Sequence, residues 1–495
     1  MNNKGTISLV KIWMASISKN VHPPMHLMYI GDALKKAGYS VKIFHYDHEE
    51  AVDKISEIIN FASVFVGFSI ITGDPSTTIL HITQTIKKTK NIPVVFGGIH
   101  PTLEPEQCLL EDSVDFVVLN EGEKTVVELA DAITQGKTVN HISGLGYKEN
   151  NKVVINPLTK FHNNMDDFEM DWSLVDIERY IHPFYAGTNR VLMGYVASRG
   201  CPHQCGFCYN QVFWKARWRR HSSEKVAQQI NMLTEKHDLN ALVFFDDNFT
   251  VNKKWTFEIL DNINIQGIHI ETRIDYIDEE FLSNLAQRNV KSIFIGVESG
   301  SDRILKLLSK GFTIKHIYNA LNIIKKYPIP AKFSFIVGIP SERFSEFRKT
   351  LNLIVWCIEN VPKCGFTFGF YLPYPGTNLF KLCLDKGFSK PESFAEWEKL
   401  DRWGNQNINI PWTEDFTLNP LEVQKLIFLI SRMSNLHRSK PTALNRFLYK
   451  LVRFRFRKSC TKSMVLISHV ENFFLPLFRI VYKKFSSKRN RINRK

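Results

Sequence analysis

Three cysteines within eight residues, Cys201-Pro-His-Gln-Cys205-Gly-Phe-Cys208, are the densest chemistry in this chain. Thiolates are soft ligands that select zinc or an iron-sulfur cluster. Three of them reach one centre only if the backbone curls, and Gly200, Pro202 and Gly206 favour such a loop. Structural zinc takes four ligands, usually from paired knuckles, and the remaining cysteines, Cys108, Cys357, Cys364, Cys383 and Cys460, show no paired spacing. His203 as a fourth zinc ligand would have to fold back beside its own neighbours. Three ligands with one missing describe instead a 4Fe-4S cluster with an open iron. The other cysteines read as buried thiols, with an auxiliary cluster from Cys357, Cys364 and Cys383 as the rival reading.

A loop of this kind needs strands to hold it. From Met193 onward, short β-branched and aromatic runs alternate with helical stretches: Met193–Ala197, Ala241–Phe245, Ile268–Thr272, Ser292–Val297, Lys332–Val337 and Gly365–Phe370. Six strands with intervening helices predict a barrel or partial barrel, whose active groups sit on loops after the strands. Polar residues stand at those places: the cysteines after the first strand, Asp246-Asp247-Asn248 after the second, Arg273 after the third and Glu298-Ser-Gly300 after the fourth. Taken singly, each is as readily a helix cap or a surface turn. The N-terminal part alternates in the same way, with strands at Val41–Phe44, Val64–Ile70, Val94–Gly98 and Val114–Leu119, which predicts a parallel, doubly wound sheet. Gly73, Gly98 and Gly122 follow strands, where such a sheet has its ligand crevice, but no GxGxxG with a following acid marks a dinucleotide site.

The cysteine spacing, C-x3-C-x-aromatic-C after a first barrel strand, resembles the radical S-adenosylmethionine (SAM) superfamily. The resemblance implies that SAM chelates the open iron and is split to methionine and a 5'-deoxyadenosyl radical. It also implies that Asp246 and Asp247 hold the SAM amino group, that Arg273 and Glu298 contact SAM, and that Ser334–Pro340, with Gly338 and Pro340, lies against adenine. Further upstream, His22–Ile30, Leu34–Val41, Phe96-Gly-Gly-Ile-His-Pro101 and Val114–Glu123 resemble the cobalamin-binding domain of the branch that includes the anaerobic magnesium-protoporphyrin IX monomethyl ester cyclase and C-methyltransferases. That implies a Rossmann-like sheet whose strand-end loops cradle a corrin, with Ser69, Gly97, Gly98 and His100 at the crevice and His22 nearby. The DxHxxG motif that elsewhere supplies a histidine to cobalt is missing, and the family's Gly-Glu-Gly-Glu reads Asn120-Glu-Gly-Glu123.

The expected architecture is therefore α/β throughout: a Rossmann-like domain over residues 1–140, a linker over 141–190, a partial (β/α)6 barrel of TIM type over 191–385, a helical cap over 386–437 and a basic amphipathic tail over 438–495. Charge sets the tail apart. It holds 17 Lys/Arg against the single acid Glu471, whereas the other 437 residues hold 47 bases and 48 acids. Leu444–Arg457 and Phe473–Lys484 interleave those bases with Phe, Leu and Val, the composition of a helix lying on an anionic membrane surface. RNA is the rival partner, although the tRNA methylthiotransferases, a related branch, carry three cluster cysteines in the N-terminal domain where this chain has only Cys108. Eight cysteines are too few for a disulfide scaffold, and no leader or uninterrupted apolar span is read, so a cytoplasmic enzyme, peripheral on the membrane's inner face, is expected.

The activity expected is radical SAM chemistry with cobalamin, most simply C-methylation of a lipophilic substrate, supplied with electrons by a reductase, flavodoxin or ferredoxin. The alternatives are oxidative cyclisation or C–C bond formation on a tetrapyrrole or lipid without methylation, and a membrane-associated iron-sulfur protein without SAM catalysis. No residue is assigned to catalysis itself.

Overall fold

Parallel strands buried on both faces need near-continuous apolar runs, and the chain supplies them twice. The computed structural model describes residues 3–14, 21–183, 189–400, 412–415, 420–438 and 443–459. Its first sheet contains β1 (Thr6–Trp13), β2 (Ser40–Asp47), β3 (Phe65–Ser69), β4 (Val94–Gly97), β5 (Phe116–Val118), β6 (Leu145–Glu149) and β7 (Lys152–Ile155), in the spatial order β2-β1-β3-β4-β5-β6-β7. β1 to β5 are parallel. The interior strand β1, second from the edge, was not read from the sequence because Ser8 and Lys11 interrupt its apolar run. Inside the fold both are partnered, Ser8 by the Ile58 carbonyl at 2.8 Å and Lys11 by Asp74.

The expected linker also begins too early. β6 and β7 form an antiparallel hairpin on the edge of this sheet, turned by Asn150 and Asn151 at φ 49° and 61°. Two central residues with positive φ are what a tight two-residue hairpin requires, and asparagine tolerates them.

The second sheet has the order β16-β15-β14-β13-β12-β9-β8. It starts with β8 (Ile181–His182), antiparallel to β9 (Val191–Tyr195), and a two-stranded ribbon of β10 (Ser198–Gly200) and β11 (Trp218–Arg220) follows. β12 (Ala241–Phe244), β13 (Gly267–Arg273), β14 (Val290–Glu298), β15 (Ala331–Val337) and β16 (Cys364–Phe370) then run parallel to β9, giving the six expected barrel strands in a curled, open half-barrel.

The cap expected over the barrel divides differently. The turn Ala395–Leu400 packs on the first sheet's side: Ser76 Oγ donates to the Ala395 carbonyl at 3.0 Å, and Phe394 joins the apolar core beneath. Trp412 does seal the barrel, its Nε1 donating to the Gly338 carbonyl at 2.6 Å. The helices Pro420–Arg438 and Ala443–Ser459 fall in a separate unit that begins at Leu421. On the latter, Phe447 and Phe454 are 63% and 58% exposed. The basic stretch Phe473–Lys484 lies outside the described residues, and no described helix is long and apolar enough to cross a membrane.

Candidate cofactor sites

The cysteine loop leaves β10 and closes on itself, with the Cys208 N–H donating to the Cys205 carbonyl at 2.9 Å. Gly200, at φ 80°, is required where the loop begins, because a Cβ there would meet the Arg217 carbonyl oxygen at 2.1 Å. Burial pushes the Cys201 thiol up and the Cys208 thiol up to about 12. Thiolates form in such a place when a metal's positive charge stabilises them, so the donor set fits an iron-sulfur cluster. His203 is directed elsewhere: its Nε2 shares a 2.7 Å hydrogen bond with the Tyr276 hydroxyl. Among the described residues no group of three or more His, Cys, Asp or Glu could hold a single metal ion. Cys357 and Cys364 are neighbours, the Cys364 thiol donating to the Cys357 carbonyl. Cys383 packs in a different apolar cluster, with Tyr371 and Trp412.

The strand-end residues expected at SAM divide into those facing the open space and those already engaged. Asp247 faces it, accepting from Gly200 N–H at 3.1 Å and the Tyr209 hydroxyl at 2.9 Å. Asp246 is 1% exposed and is held by Ala197 N–H and Ser198 Oγ; burial raises it to about 7. Arg273 turns towards the cluster loop, Nη1 donating to Cys205 Sγ at 3.3 Å while Asp275 and the Lys310 carbonyl hold its other nitrogens. Glu298 sits at φ 69° and is paired with the buried Lys310 at 3.0 Å. Gly338 donates to Glu342 at 3.0 Å and accepts from Trp412, and Pro340 is buried beside it.

The space that Asp247 faces is a cavity of about 420 Å³. It runs between apolar side chains of the first sheet, such as Leu9, Phe65 and Val95, and reaches Ser69, Gly97 and Gly98 at the ends of β3 and β4. It continues to Ser198, Tyr209 and Asp247 of the half-barrel. Gly98, at φ 101°, lies so close to the end of β3 that a Cβ there would stand 2.7 Å from the Ile70 carbonyl oxygen. A flat macrocycle with an apolar-lined slot for its tail fits this cradle. His100 is not on the cavity wall: it packs against Phe394 and Trp397, Nδ1 hydrogen-bonded to Thr72 Oγ1 at 3.2 Å, and burial lowers it to about 3. His22 is spent on the Met193 carbonyl at 2.7 Å. His26, read only as part of the His22–Ile30 stretch and not as a candidate, opens onto the cavity instead, and desolvation, with Lys11 and Arg199 nearby, lowers it to about 3.

Arg199 was likewise missed. It donates to Glu121 at 2.9 Å and Glu123 at 2.6 Å, and Arg219 donates to Glu121 at 2.8 Å, so a buried ion-pair network joins the Asn120–Glu123 loop of the first sheet to the β10–β11 ribbon. Burial alone would raise Glu121, but Arg219 and Arg199 outweigh it and hold that carboxyl below its ordinary range. The guanidinium of Arg199 also lies 4.3 Å from the ring centre of Tyr29. The signal for Glu121 and Glu123 was their place in the quoted motif; a single arginine two residues before a cysteine carried none.

A model of the radical SAM superfamily matches residues 195–354, and a model of the B12 binding domain matches residues 12–130. The chain is 30% identical over 390 residues to an uncharacterized methyltransferase of Pyrococcus horikoshii, covering 77% of this chain and 82% of that one. It is 27% identical over 353 residues to the anaerobic magnesium-protoporphyrin IX monomethyl ester cyclase of a Synechocystis species, covering 69% of each. Among solved structures, the cobalamin-dependent S-adenosylmethionine radical enzyme OxsB with aqua-cobalamin bound aligns at a TM-score of 0.67 and 14% identity, covering 95% of this chain and 75% of that one. That likeness speaks for the fold, whereas the methyltransferase match runs through both sheets at once. The chain therefore belongs to the radical SAM enzymes that carry a cobalamin-binding domain, and its cofactors are a 4Fe-4S cluster, SAM and cobalamin.

Proposed function

We propose that this enzyme transfers a methyl group to an unactivated carbon of a lipophilic small molecule. Cys201, Cys205 and Cys208 are the residues that would hold the cluster. Asp247, Glu298 and the Gly338–Pro340 segment would hold SAM, and Ser69, Gly97 and Gly98 the corrin. When bound, the cluster and SAM supply a 5'-deoxyadenosyl radical and the corrin carries the methyl group. The observation that carries this reading is the single cavity shared by Gly97 and Gly98 on one side and Tyr209 and Asp247 on the other. A group delivered from the crevice and a hydrogen abstracted at the barrel mouth then meet one substrate in one water-poor space.

The chain's own residues orient and exclude. Tyr209 and Gly200 fix Asp247 against the cysteine loop. The Arg199–Glu121–Glu123 network holds the two strand-end surfaces in register across the cavity. The exposed Phe447 and Phe454 on a basic helix support attachment to an anionic membrane surface and hence a substrate drawn from lipid. A flavodoxin or ferredoxin is the proposed electron donor.

A second reading, radical oxidative cyclisation without methylation, is favoured by the similarity to the ester cyclase. One experiment separates them: anaerobic reconstitution with iron, sulfide and hydroxocobalamin, then incubation with dithionite, methyl-labelled SAM and a total lipid extract. About four irons with stoichiometric cobalt, 5'-deoxyadenosine and label in the organic phase are expected. Deoxyadenosine without transferred label would favour cyclisation, and zinc in place of iron would overturn both.

A further inference from the structure

Most polar side chains on the wall of the shared cavity are already engaged. Glu121 and Glu123 are taken by Arg199 and Arg219, Tyr209 and Asp247 by each other, and Ser198 by Asp246. The Tyr29 hydroxyl shares a 2.9 Å hydrogen bond with His221 Nε2. Ser69 offers a hydroxyl and Asn120 an amide, oxygen donors that suit hard cations. His26 differs from all of these. Among the described residues it is the one imidazole on that wall, its side chain is exposed there, and neither ring nitrogen has a hydrogen-bond or ion-pair partner.

The chain holds this imidazole in place. His26 lies in the first turn of the helix Met25–Lys36, directly after the buried Pro23 and Pro24. Gly194 of β9 lets that turn approach, since a Cβ there would stand 3.3 Å from Pro23 Cδ and from the Met25 methyl carbon. Tyr29, three residues on and pinned by His221, and Ile30, four residues on, line the same cavity, so one face of the helix carries all three. Ser69, Gly97 and Gly98, the strand ends proposed to cradle the corrin, line it too. Desolvation and the charges of Lys11 and Arg199 oppose protonation of His26, which leaves a nitrogen lone pair available. With Pro24 two residues before it and Tyr29 three after, this histidine stands outside any DxHxxG pattern.

We propose that His26 is an axial ligand of the corrin cobalt. Imidazole nitrogen suits a borderline transition metal better than the oxygens around it. Axial donation stabilises the more oxidised states of such a metal, as axial ligands set the potential of haem iron. His26 then does two things: it fixes the corrin against the first sheet, and it sets how strongly reducing the electron donor must be. The inference rests on the corrin lying in this cavity, as proposed above.

The test compares the protein carrying natural histidine with protein carrying histidine labelled with the spin-half isotope of nitrogen. Both are reconstituted with cluster and cobalamin, reduced to cobalt(II), desalted and read by EPR. Each cobalt line is expected as a triplet in the unlabelled protein and as a doublet in the labelled one. His26→Phe is expected to lose the label-sensitive splitting, and its cobalt(II)/cobalt(I) midpoint to move to a less negative potential. No nitrogen splitting in the wild type, a triplet that labelling leaves unchanged (the signature of the cobalamin's own nucleotide base), or a label-sensitive splitting that survives His26→Phe would each overturn the proposal. Where the variant retains no cobalt, the labelled wild type decides, because no other described imidazole lines the cavity. Cobalt lost from the wild type on desalting would overturn the corrin placement and the ligand together, whereas retained cobalt without histidine splitting discards the ligand alone. Uncoupled cleavage of SAM by the same preparation reports on the radical reading separately.

Discussion

The guanidinium of Arg273 touches a cluster ligand, and that contact sets an electronic consequence. Hydrogen bonds and positive charge at a cluster thiolate stabilise the reduced, more negative state. Arg273→Met is therefore predicted to lower the cluster's midpoint potential in an EPR-monitored redox titration while iron content stays unchanged. An unchanged potential would mean that the 3.3 Å contact to Cys205 is lost when the cluster is bound. Cys205→Ala is predicted to reduce bound iron well below the wild-type content and to bring formation of 5'-deoxyadenosine down to background, read by iron assay and chromatography. The contrast between these two residues explains what a sequence exposes at this scale. Three thiols at fixed spacing have few other uses, so the motif is legible. Arg273 was legible as a polar residue after a strand, set beside SAM by the resemblance, but not as a partner of Cys205, because that turn depends on Asp275 and on the Lys310 carbonyl, which comes from 37 positions away.

At the level of strands and turns, the loop after β4 depends on one glycine. A Cβ at Gly98 would stand 2.7 Å from the Ile70 carbonyl oxygen and 3.0 Å from its nitrogen, in a backbone conformation that L side chains rarely adopt. Gly98→Ala should cost about 1–3 kcal/mol of stability and close the crevice, so that cobalt retained after desalting falls while iron does not. A loss of both would mean that the whole fold, and not the crevice, had failed. The turn after β15 carries a pH signature. Glu342, 1% exposed, accepts from Gly338 and Ile339 N–H, and burial moves it from 4.5 to about 8. Between those values the native state keeps a proton that the unfolded chain has released, so stability falls as pH rises. Buried histidines such as His100, lowered to about 3, act in the opposite sense, but only below their unfolded value of 6.5. From pH 6.5 to 8 the unfolding free energy of the apoprotein, read by chemical denaturation, should therefore fall, by at most about 1.4 kcal/mol per pH unit from this group. Glu342→Gln, which still accepts both bonds, should flatten the slope. The strands on either side of these turns were readable because each is a short β-branched run. β1 escaped because its polar positions find partners only in the tertiary structure, and the β6–β7 hairpin escaped because two successive asparagines give a weaker turn signal than Asn-Gly.

Across the whole molecule, the two sheets share a cavity that buried charge bridges. Arg199 spans it from the residue pair preceding Cys201 to Glu121 and Glu123, and the side chains of all three are 10% exposed or less. A pair so enclosed contributes little net stability when intact, yet removing one partner leaves an uncompensated charge that costs about 3–5 kcal/mol. Arg199→Met should destabilise the apoprotein by that amount, while Glu123→Gln beside it recovers part of the loss, because the orphaned carboxylate is then gone. A double-mutant cycle on the two positions, read by chemical denaturation, should give an interaction energy of about 0.5–3 kcal/mol. The network's second role separates from the first by ligand linkage. A corrin seated against both sheets stabilises the native state in proportion to its affinity for that state, so hydroxocobalamin should raise the wild-type midpoint. It should raise the Arg199→Met, Glu123→Gln midpoint less, even though much of the apoprotein's stability has been restored. An equal shift in both proteins would assign the network to stability alone, whereas a reduced shift would make Arg199 the residue that sets the distance between the corrin crevice and the cysteine loop, and through it the separation of the two chemistries that must meet on one carbon.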